Sequence, residues 1–124
     1  MAKLKLGGVE YPLVLTVRAM DELAQMGVTL ENLFQYIQIE GRTFEEAVAH
    51  GLQVLGILID CGLDAMHWQS GEAVPEMPDA ALVRRVLTPG QIWGLCEAAV
   101  LDSLKRTVEA DHSKNGESAV GTSP

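Results

Sequence analysis

The chain opens on Lys3-Leu4-Lys5-Leu6, then Gly7-Gly8, then Val9-Glu10-Tyr11-Pro12-Leu13-Val14-Leu15-Thr16. Two short runs that alternate apolar and polar residues flank a pair of residues without a Cβ. A type I′ turn needs positive φ at both central positions, and Gly-Gly supplies that without steric cost. The pattern predicts a β-hairpin. From Thr16 onward the apolar spacing is helical. A lone two-stranded hairpin is marginal in water, so this one must dock on the helices or pair with another chain. The fold class that follows is mainly α (α+β), an N-terminal β-hairpin followed by a bundle of about four to five helices. Residues 1–111 form a single helical domain with the hairpin at its start. Residues 112–124 have no apolar period and read as a flexible C-terminal tail.

Helix boundaries come from capping chemistry. A first helix runs from Val17 to Met26 and stops at Gly27, with Val17, Met20, Leu23 and Ala24 as its inward face. A second starts at the N-cap Thr29, stapled by Val28 and Leu33, buries Leu30, Leu33, Phe34 and Ile37, and ends at Gly41. The third begins with the capping box Thr43-Phe44-Glu45-Glu46 and runs to about Cys61, where Gly62 closes it. Ala47, Val48, Leu52, Val54, Leu55, Leu58 and Ile59 make it apolar nearly all round, as a helix at the centre of a core or an interface would be. Ser70-Gly71 and Pro75 to Pro78 mark residues 63–78 as irregular. A short helix follows from Asp79 to about Leu87. A second capping box, Thr88-Pro89-Gly90-Gln91, opens the last helix, which reaches about Ala110 with Ile92, Trp93, Cys96, Ala99, Val100, Leu104 and Val108 inward.

Composition narrows the function. The chain has 124 residues and is 48% hydrophobic but only 5% aromatic, so its core is aliphatic. A mean hydropathy of +0.13 in a chain this short leaves more apolar material than one small domain hides alone, and self-association or client binding would use the excess. The net charge is −8, and the basic pairs Arg84-Arg85 and Lys105-Arg106 stand apart from each other. Phosphate binding needs clustered Lys and Arg, so nucleic acid is not an expected partner. No secretory leader and no uninterrupted apolar span of roughly 18 residues is visible, so a cytoplasmic protein without a membrane partner is expected.

Catalytic chemistry finds no constellation. His50, His67, His112, Cys61 and Cys96 do not form a ligand set for a metal. The two cysteines lie in apolar helical stretches and read as buried thiols, with nothing beside them to activate a nucleophile. Asp102-Ser103-Leu104 matches the tripeptide that carries phosphopantetheine in acyl carrier proteins, but Ser103 lies inside a helix rather than at its start. No loop cradles a phosphate. No catalytic, cofactor-binding or metal-binding residue is assigned, and the chain is not expected to be an enzyme. Trp68, near Met66 and Met77, either folds back as a lid on the core or anchors a partner. The candidate partner-binding residues are Leu4, Leu6, Tyr11 and Leu13 of the hairpin, Leu55 and Ile59 of the third helix, and Trp68.

Leu6-Gly7-Gly8-Val9-Glu10-Tyr11-Pro12-Leu13, then Met20-Asp21-Glu22-Leu23, then Gly27-Val28-Thr29-Leu30-Glu31-Asn32-Leu33 resembles the start of siphophage tail assembly chaperones. Those proteins often open with a Gly-x-x-Tyr-x-Leu hairpin and a helix carrying a Met/Leu-Glu-x-x-x-Gly segment. The resemblance covers residues 1–40; beyond them it extends only to general helical character, and residues 66–78 do not map onto it. It implies a chaperone that binds and coats the tape-measure protein, helps recruit tail-tube subunits, self-associates, acts in the cytoplasm of the bacterial host, and is absent from the mature virion. The alternative is a small acidic protein–protein interaction adaptor of unrelated function.

Overall fold

A computed structural model describes residues 2–38 and 41–116, with side chains placed as far as Lys105. The described chain is mostly helical, with an N-terminal antiparallel hairpin followed by five helices. Strand β1 is Lys3–Leu6 and β2 is Val9–Pro12. Their register pairs Leu4 with Tyr11 and Leu6 with Val9. Gly7 and Gly8 have φ of 55° and 82°, the two positive values that the turn demanded.

The hairpin docks on the helices. Leu13 N–H donates to the Ala2 carbonyl and closes the strand pair, while Val14 N–H reaches the Leu58 carbonyl of helix α3, Phe44–Ser70. Gly62 of α3 faces the same strand end. A Cβ built there would stand 2.4 Å from the Pro12 carbonyl oxygen. This overturns the expected helix end at Gly62: the glycine is there to let β2 lie against the helix, and α3 continues to Ser70. Its terminator is Gly71, left-handed at φ 73°. The irregular segment thus shrinks to residues 71–78.

Helix α1, Val17–Gln25, is capped by Thr16 Oγ1, which accepts from Ala19 N–H. It buries Ala19 and Leu23 and leaves Val17 74% exposed. The expected face is therefore rotated. Arg18 sets the rotation: its guanidinium pairs with Glu22 (2.7 Å) on its own helix and with Asp60 (2.7 Å) and Asp64 (3.2 Å) of α3. The Glu22 hydrogen bond first, and then the nearby charges, Asp60 among them, raise the Arg18 pKa above its ordinary value.

Helix α2 is Leu33–Ile37, shorter at both ends than expected. Thr29 does not cap it. Asn32 Oδ1 accepts from Thr29 N–H (2.8 Å) and Asn32 Nδ2 donates to the Gly27 carbonyl (3.2 Å), so residues 29–32 close as a turn instead. At the other end Arg42 collects the carbonyls of Gln35, Tyr36 and Gln38.

Helix α4, Ala80–Val86, is capped by Asp79 Oδ1 on Ala81 N–H and buries only Val83. Helix α5, Pro89–Gly116, opens with the predicted box: Gln91 Oε1 accepts from Thr88 N–H and Thr88 Oγ1 from Gln91 N–H. It continues past Ala110, so the expected tail begins inside a helix, and residues 117–124 lie outside the described residues. Ile92, Cys96, Ala99 and Val100 are buried, whereas Leu104 is exposed; the Val108 side chain lies outside the described residues.

The core sits around α3, which packs against α5, α2, α1 and the hairpin. At Gly51 side chains of α5 press against α3: a Cβ there would meet Ile92 Cγ2 at 2.9 Å, and the Cys96 thiol donates to the Gly51 carbonyl at 3.6 Å. By length and composition alone α3 could cross a bilayer, but half of its apolar window is buried inside the fold, as in a central core helix.

Candidate binding surfaces

Six of the seven candidate partner-binding residues are not on the surface. Leu4, Leu6, Tyr11, Leu13, Leu55 and Ile59 are all buried in the chain's own core. The physical reason is the docking just described. The hairpin's apolar face covers the all-apolar half of α3, so each satisfies the other, and assigning these residues to a partner is corrected to an internal role. Trp68 differs. It stands on the last turns of α3 at 77% exposure, so it does not fold back as a lid. His67 holds its edge (ring centroids 5.6 Å apart) and is itself fixed by donating from Nδ1 to the Glu72 carbonyl at 2.9 Å. Beside this end of α3 lies a shallow hollow of about 220 Å³ lined by Pro12, Val14, Ala65 and Met66 among others.

Three further apolar features reach the surface that sequence spacing did not single out. On α5, Leu101 is 56% exposed and Leu104, one turn on, is exposed as well. On α4, Leu82 and Val86 point outward while Val83 points in. Between α1 and the turn before α2 runs a groove of about 360 Å³, floored by Leu23, Val28 and Leu33 and walled by Met20, Ala24 and Leu30. Asp21 and Glu31 stand on its rim. The signal for all three was the phase of each helix against its neighbours, which one-dimensional spacing leaves undetermined.

The polar groups considered as chemistry have structural roles. The Ser103 hydroxyl is buried and accepts from Leu15 N–H at 2.9 Å, tying the exit of the hairpin to α5. It stands where no helix starts and not at a surface where a carrier arm would be attached. His50 stacks on Tyr36 with ring centroids 4.0 Å apart and its Nδ1–H meets the Tyr36 carbonyl at 2.8 Å, while the Tyr36 hydroxyl donates to Gln53 Oε1. Both cysteines are free and buried. Burial pushes the Cys96 thiol up to about 12 and raises Cys61 too, against the opposing pull of Thr16 and Arg18. A thiol held protonated is a poor nucleophile. Among the described residues no group of three or more His, Cys, Asp or Glu could hold a metal ion.

No family model, curated protein or solved structure matches the chain.

Proposed function

We propose that the chain is a tail assembly chaperone of the siphophage kind. It binds the tape-measure protein along its length, several copies side by side, and helps bring tail-tube subunits to the coated client. It does so in the cytoplasm of the bacterial host and leaves before the virion is complete. The observation that carries this reading is that Trp68 and Leu101 remain exposed on an acidic domain whose core is complete without them. Large exposed apolar side chains on a small soluble fold mark binding surfaces, and a tryptophan is the commonest kind of anchor. The resemblance of residues 6–33 to the chaperones supplies the client. A tape-measure protein is long and helical, and an amphipathic helix buries its apolar stripe in just such anchors.

The binding that follows is apolar, so it changes little with salt. The acidic surface keeps the protein soluble and spaces neighbouring copies. Co-expression with the tape-measure protein encoded nearby, followed by capture at low and high salt, tests this. Retention at both salts is expected, with loss on Trp68→Ala and recovery on Trp68→Phe. No complex at either salt leaves the small acidic adaptor as the reading, and loss at high salt alone moves the binding site to the acidic surface.

A further inference from the structure

The groove and the α4 ridge complement each other in apolar character and in charge. Leu82, Arg85 and Val86 stand at i, i+3 and i+4 and so share one face of α4. All three are exposed, and among the described residues Arg85 forms no ion pair. This is an apolar ridge carrying a cation, with Arg84 beside it on the same helix, on a chain of net charge −8. The groove presents the converse. Its floor and walls are apolar apart from Thr29, and its rim carries Asp21 and Glu31, two exposed carboxylates that also form no ion pair among the described residues. No residue of α4 lines the groove of its own chain. The pocket beneath α4, lined by Leu52, Gly56, Ile59 and Met77 among others, takes no residue from α1 or α2. Ridge and groove are therefore separate surfaces, each unfilled by the other within one molecule.

We infer that the α4 ridge of one copy docks in the α1–α2 groove of a second copy, Leu82 and Val86 seated between Met20, Ala24 and Leu30, and Arg85 facing Asp21 and Glu31. A contact between two different patches is heterologous. A pair keeps one groove free at one end and one ridge free at the other, so the contact adds further copies in the same direction rather than stopping at two. The inference rests on the assembly reading above only in requiring that copies touch; it needs no client.

The heterologous geometry gives a test that an unspecific sticky surface would not pass. Ala24→Arg fills the groove with a cation that repels Arg85, at an exposed helical site where arginine is well tolerated. Leu82→Asp with Val86→Asp blocks the ridge at exposed positions. Sedimentation velocity of the purified full chain, from micromolar to millimolar, is expected to show growth in mass with concentration for the wild type. Each blocked variant alone stays monomeric. An equimolar mixture of the two forms dimers and nothing larger, because the ridge of the groove-blocked copy still fits the groove of the ridge-blocked copy. Dimers from the mixture also show that both variants are folded. A wild type monomeric throughout, assembly unchanged in either variant, or a mixture that stays monomeric would each overturn the inference. Client capture by the monomeric variants, measured separately at the Trp68 end, reports on the chaperone reading independently.

Discussion

Helices α3 and α4 are both apolar, yet they do opposite jobs. Helix α3 buries nine residues over a broad face, from Ala47 to Leu63. Helix α4 buries Val83 and shows the rest of its apolar set to solvent. The same residue types therefore hold the domain together in one helix and remain available to a partner in the other. What separates them is how many neighbours each helix has: the hairpin, α1, α2 and α5 all lie on α3. Stability and binding are thus carried by different segments, and substitutions should sort accordingly.

The sharpest way to break the contrast is Leu55→Asp. The site is 1% exposed in the apolar core, and a buried carboxylate is among the most costly changes a core can take. Loss of a cooperative thermal transition is expected; a near-wild-type melt would place Leu55 outside the core. Gly62→Ala should come next, at the top of or above the roughly 1–3 kcal/mol typical of overpacking, because the new methyl meets backbone rather than a movable side chain. Denaturant titration measures it. Ser103→Ala strands the buried Leu15 N–H and should cost about 1–3 kcal/mol, read in the same titration. Gly56→Ala, on the same helix as Gly62 but with open space around it, should instead stabilise by about 0.5–1 kcal/mol. Opposite signs at Gly56 and Gly62 would show that the strand crossing, and not helix propensity, sets the residue at position 62. The smallest effect belongs to Val86→Ser, within about 0.5 kcal/mol because the residue is 52% exposed. A larger loss would mean that α4 is part of the core after all.

Sequence reading succeeded where the signal is local. Gly7-Gly8, the Thr43–Glu46 and Thr88–Gln91 boxes, Gly27 and the Asp79 start are settled by hydrogen bonds or backbone angles within a few residues of each other. It failed where a distant residue decides. Gly62 gives the same letter whether it ends a helix or admits a strand, and Pro12 is what distinguishes the two. The Asn32 side chain, and not the Thr29 hydroxyl, makes the side-chain hydrogen bonds that close residues 29–32. The face of α1 depends on Asp60 and Asp64. The binding surface was the least legible part for a related reason. An apolar residue announces that it will be covered, not by what, and the hairpin covered Leu55 and Ile59 before any partner could. Trp68 was recognisable as a large aromatic, but whether it lay inward depended on α3 running on past Gly62.

The hydrogen bond between Leu15 and Ser103 joins groups 88 residues apart in the chain. A ribosome adds about 5–20 residues per second, so the hairpin leaves the exit tunnel roughly 4–18 seconds before its last partner does. For that interval Leu4, Leu6, Tyr11 and Leu13 are made but not fully sheltered, and a two-stranded hairpin does not hold itself together. Many copies made close together would then have their stickiest segments exposed at the same time. Completion of α5 ends that period, so the far end of the message governs when the beginning of the protein becomes safe.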